Sequence, residues 1–304
     1  MGGDEPILRK PRVPRVLVTG ALGNVGRPVV LEALRRGLSV RAAVRDERNV
    51  RGLPECEVIR FDFLDRATWP AALTACDYVF LLRPPPLSDM DATLNPFVAA
   101  AYAQGVQHIV FLSVAGADRM KWIPHRKVEL HLQAAGNRFT LLRAGFFSQN
   151  LGDAYRRDVV EDDRLFVPAG QGRVAFLDAA DIGEAAAEVL ENSSSFLGQT
   201  LTLTGPEAIT FAQAAALLTA RLGRTIHYEP ASLLGYVRHL RRRRGLPWMQ
   251  IAVQAFLHHG LSRGDAEQVD PALQALLGRP ARSVEQYIER SAGIWARPSS
   301  EVIP

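Results

Sequence analysis

The chain has 304 residues, about two ordinary domains or one large α/β unit with an appended lobe, and its 47% hydrophobic and 22% charged residues exclude wholesale disorder. Its 24 Gly and 19 Pro follow no collagen period, and its two cysteines, Cys56 and Cys76, form no C-x-x-C pair, so fibrous, disulfide-scaffold and Cys-zinc architectures drop out and a reducing compartment fits. With 36 basic against 32 acidic residues the formal charge is +4, which favours an anionic ligand but is met as well by a cofactor phosphate as by DNA.

Residues 1–13 read as a flexible leader: they lack the apolar core of a secretory signal, and Pro6 stands where a myristoylation motif wants Ser or Thr. No window approaches 18 uninterrupted apolar residues, so the expectation is a cytoplasmic protein with no membrane association. From there short β-rich runs alternate with amphipathic runs. Strands are expected at 15–19, 39–44, 58–61, 78–82, 108–113 and 139–143. Helices are expected from about 25 to Gly37, around 69–76, at 91–104 and at about 125–135. Six strands with five crossovers describe a Rossmann-like, doubly wound parallel sheet with helices on both faces.

Beyond residue 150 the pattern loosens. A strand end, turn and helix follow over 176–192, then a strand at 199–205. Capping boxes at Thr210 with Gln213 and at Ser283 with Gln286 start helices at 211–222 and 284–293, and 232–277 is helical with short breaks. The expected division is an NAD(P)-binding domain over 14–150 and a smaller, mainly helical substrate lobe over 151–304, partly interleaved with the sheet.

The strongest chemical signal is TGALGNVG at 19–26, between a strand and a helix. Gly20, Gly23 and Gly26 suit a tight turn, close approach to a pyrophosphate and helix-on-strand packing. With Ala21, Leu22, Asn24 and Val25 they place free N–H groups at a helix start, where a phosphate binds. At the end of the second strand Arg45 suits a ribose 2′-phosphate, so NADP(H) is favoured over NAD(H), although Asp46 follows at once and would suit a 2′-hydroxyl. Asp62 and Phe63, after the third strand, offer an acceptor for an adenine amino group and an apolar surface beside the ring; a helix-capping Asp is the plainer reading. Leu82, Arg83 and Pro84, in LLRPPP, are placed to wall the nicotinamide half of the crevice, and otherwise make a rigid loop. Gly145, Phe146 and Phe147, in AGFFSQN, are placed against the nicotinamide or a planar acceptor, with core packing as the alternative.

These motifs, with AVR at 43–45, VFLSVAGAD, H-x-x-x-E at 125–129 and LTLTGPEAIT, resemble in order the NmrA-like group of atypical short-chain dehydrogenases/reductases. The similarity is greatest to quinone and azo reductase-like members and runs over about residues 14–295. The resemblance implies an NAD(P)-binding fold, and either an NADPH-dependent reductase of a quinone-like, carbonyl or azo acceptor or a non-catalytic NADP(H) sensor acting through a protein partner. Short-chain dehydrogenases use Tyr-x-x-x-Lys as proton donor, and no tyrosine here has a lysine four positions on. Aligned on the sixth strand, Lys121 takes the Tyr position and His125 the Lys position, while Ser113 matches the family hydroxyl. His125 and Ser113 are therefore the catalytic candidates and are counted with the cofactor contacts; His125 is read as a ribose ligand or, with an ordinary pKa near operating pH, a proton donor.

No metal site is expected, since His258 and His259 are adjacent and lack ligand spacing. The run RHLRRRR at 238–244 is read as a solvated helix face rather than a nucleic-acid contact. Monomer and homodimer are both compatible with the sequence.

Overall fold

A computed structural model describes residues 12–297; most of the leader, 1–11, lies outside the described residues. The central sheet has seven parallel strands in the order β3-β2-β1-β4-β5-β6-β9. Its strands are β1 (Arg15–Val18), β2 (Ser39–Val44), β3 (Glu57–Arg60), β4 (Tyr78–Leu82), β5 (His108–Val114), β6 (Phe139–Ala144) and β9 (Gln199–Leu203). Between them run α1 (Gly26–Arg35), α2 (Trp69–Leu73), α3 (Leu94–Ala103), α4 (Pro124–Ala134), α5 (Arg156–Glu161), α6 (Ala179–Glu191) and α7 (Ser193–Phe196). The seventh strand, β9, comes from beyond residue 150 and pairs with β6 from Thr140↔Gln199 to Ala144↔Leu203.

Period-two alternation assigns each strand residue to a layer. Val16 and Val18, Phe80, Val110 and Leu112, and Leu142 and Ala144 point to the face covered by α1 and α6. Leu17, Val79 and Leu81, Ile109 and Phe111, and Phe139 and Leu141 point to the face covered by α2, α3 and α4. Helices α1 and α6 approach so closely that a Cβ on Gly183 would lie 2.5 Å from Pro28 Cβ. Gly37, in a left-handed conformation at φ +79°, ends α1 and turns the chain into β2.

The second lobe has its own core, where Tyr155, Phe176, Phe211, Tyr236 and Trp295 are almost fully buried. It is built from β7 (Arg164–Val167), β8 (Arg173–Val174), β10 (Ile209–Thr210), β11 (His227–Pro230), α8 (Phe211–Leu222), α9 (Leu233–Arg242), α10 (Trp248–Ser262) and α12 (Val284–Ser291), while α11 (Ala272–Leu277) packs on α6 and β9 and puts Leu273 into the sheet layer. Both expected capping boxes form, at Thr210 with Gln213 and at Ser283 with Gln286. Ion pairs from Arg290 to Asp178, and from Arg279 and Arg282 to Asp181, tie the lobe to α6.

One expectation is corrected. Arg244 is not a solvated member of the arginine run: its side chain is 7% exposed and lies among Asp158, Glu161 and Asp162, while Arg243 pairs with Asp162 at 3.0 Å. Helix α9 ends at Arg242, so the last two arginines fall beyond the solvated stretch and against the acidic side of α5.

Candidate dinucleotide site at the strand crossover

β1 lies between β2 and β4, so the chain leaves the sheet in opposite directions on either side of it and opens a crevice beyond the strand C-termini. Thr19 closes its floor: the hydroxyl donates to Phe80 O at 3.1 Å and accepts from Leu82 N–H at 2.8 Å. The glycine turn lies above. Gly20 has φ +65°, and a Cβ on Gly26 would stand 2.1 Å from Gly20 O, so only glycine lets α1 start this close to the turn. At Gly23 an added Cβ would meet nothing nearer than Gly20 O at 3.3 Å, and the residue is exposed toward the crevice. α1 begins at Gly26 behind the N-cap Val25, which makes no side-chain cap hydrogen bond, and the first turn of the helix carries no acidic residue. Asn24 reaches across to the Asp153 carboxylate, fastening the turn to the second lobe.

At the end of β2 the two rival residues differ in their commitments. Arg48 grips Asp46 through two hydrogen bonds of 2.9 Å and holds its carboxyl below the usual carboxylate range. Arg45 is exposed and has no hydrogen-bond or ion-pair partner among the described residues. After β3, Asp62 accepts from Leu64 N–H at 2.9 Å, and Asp65 caps the short helical turn that follows. Phe63 is 5% exposed and packs edge-on against Phe61 and Phe97 at 4.8 and 5.3 Å, so its ring belongs to the core.

The loop after β4 is organised by Arg83. Its Nη1 donates to the carbonyls of Pro84, Pro85 and Leu87, and its Nε donates to His125 Nε2 at 3.3 Å. Since Nε2 accepts, the neutral ring carries its proton on Nδ1. Burial, then the Arg83 cation, push the His125 pKa down to about 3 despite the opposing charge of Glu129. The expectation of a histidine with an ordinary pKa is thus corrected: His125 is neutral at physiological pH.

Ser113, at the end of β5, is 1% exposed and donates to Glu129 Oε1 at 2.7 Å. Glu129 is fully buried and also receives Arg143 through 2.9 and 2.8 Å bonds and Arg126 at 2.9 Å. Burial alone would raise its pKa, but the hydrogen bonds from Arg143, Ser113 and Arg126 prevail and keep it ionised. Lys121 is exposed.

Phe146 joins the second-lobe core, with its ring centroid 5.6 Å from that of Phe176, whereas Phe147 is half-buried at the seam where it bridges Leu177. Gly145 N–H donates to Leu203 O, locking the end of β6 to β9. The structure thus brings the glycine turn, Leu82, Arg83, Pro84 and His125 to the C-terminal side of the sheet, and places Phe63, Ser113 and much of Phe146 in cores. The Asn24–Asp153 tie and the buried Glu129–Arg143–Arg126 cluster go beyond the sequence reading. Glu129 carried a signal, an acid on the inward face of an amphipathic helix; Asp153 carried none.

The sequence pattern of the NmrA-like family matches residues 13–288. The prestalk A differentiation protein A of Dictyostelium discoideum is 34% identical over 219 residues, 70% of this chain and 71% of that protein. The NAD(P)H azoreductase of Xenophilus azovorans is 29% identical over 293 residues, covering 92% of this chain and 99% of its own length. Among solved structures, the Escherichia coli NADPH-dependent quinone oxidoreductase in complex with NADPH superposes with a TM-score of 0.80 at 27% identity, covering 90% of this chain and 99% of that one.

Proposed function

This chain belongs to the NmrA-like family, and from that premise we propose that it is an NADPH-dependent oxidoreductase that passes hydride to a quinone-like or other small carbonyl or azo acceptor. The observation that carries the reading is that a glycine-rich helix start with no acid in its first turn and the Arg83–His125 pair both lie at the C-terminal side of the sheet. Two NAD(P)H reductases aligned over nearly the whole of both chains support it.

The residues present fit the cofactor. The glycine turn leaves room where a Cβ would intrude, and the first N–H groups of α1 suit a pyrophosphate. Arg45, unlike Asp46, is free to meet a 2′-phosphate, which favours NADP(H). Asp62, Leu82, Pro84, Gly145 and Phe147 would border the remainder. When bound, the reduced nicotinamide supplies the hydride. His125 Nδ1–H and Arg83 Nη2 have no partner among the described residues, and both would donate to the oxyanion that a reduced acceptor develops. A quinol oxyanion is stable enough to leave before protonation, so the missing tyrosine is no obstacle.

A second reading is a sensor that binds NADP(H) without turnover. It is favoured by the absent Tyr-x-x-x-Lys and by a His125 too weakly basic to deliver a proton. Calorimetric titration with NADPH, NADP and NAD, followed by absorbance at 340 nm after adding a simple quinone, separates the two. Tight NADPH binding with rapid oxidation is expected; tight binding with a flat trace across quinone, azo and aldehyde acceptors would replace the reductase by the sensor.

A further inference from the structure

Helix α10 is apolar on two opposite sides. Its sequence, WMQIAVQAFLHHGLS, contains no Asp, Glu, Lys or Arg. Ile251, His258 and Leu261 face the second-lobe core, while on the other side Met249 is 76% exposed and Val253, Phe256 and Leu257 are each half exposed. A helix with apolar residues on two opposite sides is normally covered on both, so much of a surface about 22 Å long lacks its cover. At its first turn Trp248 is largely exposed and, with Leu234, Val237, Arg238, Arg241 and Arg242 of α9, lines an open groove.

Charge identifies the cover. Residues 231–264 contain six arginines and no acidic residue. Arg243 and Arg244 are consumed by α5, but Arg238, Arg241 and Arg242 have no carboxylate partner among the described residues, and Arg241 lies over the Trp248 ring at 5.3 Å. A second copy packed symmetrically here would bring arginines against arginines, with no acid on this face to meet them. Nucleic acid would meet the arginines and leave the Met, Val, Phe and Leu side chains wet. An anionic surface with an apolar interior satisfies both sets at once.

We propose that α9 and α10 form a docking face for an anionic phospholipid bilayer, with Leu234, Trp248, Met249, Val253 and Phe256 entering the headgroup–acyl boundary and Arg238, Arg241 and Arg242 meeting lipid phosphates. No helix of the described residues is long and apolar enough to cross a membrane, so the contact is peripheral. It departs from the expectation, drawn from hydropathy alone, of no membrane association: that expectation addressed spanning segments, and this face comes from two helices folded side by side. Trp122, ahead of α4 and His125, packs edge-on against Phe256 at 5.4 Å, so the face is continuous with the segment leading to the candidate site.

Flotation of the full chain with vesicles tests this without recourse to activity. The protein is expected to float with phosphatidylcholine–phosphatidylglycerol vesicles and not with phosphatidylcholine alone, to be released by salt, and to show a blue-shifted emission that Trp248→Phe diminishes. Combined Arg238→Ser, Arg241→Ser and Arg242→Ser should lower partitioning by about two orders of magnitude. Met249→Ser with Phe256→Ser should lower it with the charge intact, while NADPH binding and thermal melting report that each variant is folded. The proposal is overturned by no flotation with anionic vesicles, by equal binding to neutral ones, or by a dimer in light scattering that Met249→Ser with Phe256→Ser dissociates.

Discussion

Arg83 Nε donates to His125 Nε2 across 3.3 Å, joining the loop after β4 to the first turn of α4. The bond sets the tautomer of the histidine and opposes its protonation, so His125 acts as a fixed hydrogen-bond donor through Nδ1 rather than as a titrating acid. With its pKa at about 3, it stays neutral across about pH 5 to 8 and contributes no inflection to kcat/KM there. Arg83→Met removes the cation and should move the imidazole titration upward, while burial, the larger cause, still holds it below the ordinary histidine value. Proton NMR of the ring Cε1–H reads this directly, and a wild-type His125 titrating near 6.5 would refute it.

The Ser113 hydroxyl is spent on the ionised Glu129. Ser113→Ala should therefore lower stability by about 2 kcal/mol, the worth of a hydrogen bond to a charged group, and change kcat less than tenfold. Glu129→Ala, which leaves Arg143 and Arg126 facing an empty site, should cost about 3–5 kcal/mol. Urea denaturation alongside steady-state kinetics distinguishes the roles. A hundredfold loss of kcat in a fully stable Ser113→Ala protein would put the hydroxyl on the reacting atoms instead.

At the β2 terminus Arg45 is free and Asp46 is held by Arg48. Arg45→Ser should weaken NADPH about 10- to 100-fold and leave NADH unchanged, because only the 2′-phosphate loses a charge-assisted partner. Arg48→Ser frees Asp46 and should improve NADH binding. Equal losses for both cofactors on Arg45→Ser would mean that the residue acts on the fold or on a shared phosphate.

His108 and His258 are buried and both titrate near pH 4 because desolvation disfavours the imidazolium. The unfolded chain takes up these protons near pH 6.5, so between about pH 6.5 and 4 it binds more protons than the folded one and stability falls as pH falls. Each histidine contributes a slope of about 1.4 kcal/mol per pH unit in that window. His108 sits between the Ser193 and Thr140 hydroxyls and His258 accepts from Tyr155, so glutamine at either position keeps a polar partner. Urea midpoints measured from pH 7 to 5 should show the slope shrink by one histidine's share in His108→Gln and again in the double variant. An unchanged slope in the double variant would place the acid sensitivity elsewhere.

Much of the fold was legible residue by residue. The strands at 39–44 and 78–82 and both capping boxes fall where the sequence puts them, because a period-two run or an S/T-x-x-Q box is set by neighbours a few positions apart. The glycine turn was legible for the same reason: Gly23 and Gly26 both answer to Gly20 O, a few positions away.

What lies across the fold was not. Phe63 and Phe146 read from position as candidate ligand surfaces, and the rings packed on them, Phe97 on the buried Phe63 and Phe176 on the half-buried Phe146, come from distant segments. The run at 238–244 looked uniform, yet α5 takes Arg243 and Arg244 and leaves the rest.

By itself, then, the sequence determined the succession of strands and helices, the glycine-rich helix start and the choice of residues at each strand end, since these depend on local spacing and local chemistry. Only the tertiary structure decided that His125 is neutral, that Ser113 serves Glu129, that β9 closes the sheet and that α10 keeps a half-exposed apolar side. Desolvation and hydrogen-bond partnership depend on which distant groups come within a few ångströms, and that is a property of the folded chain.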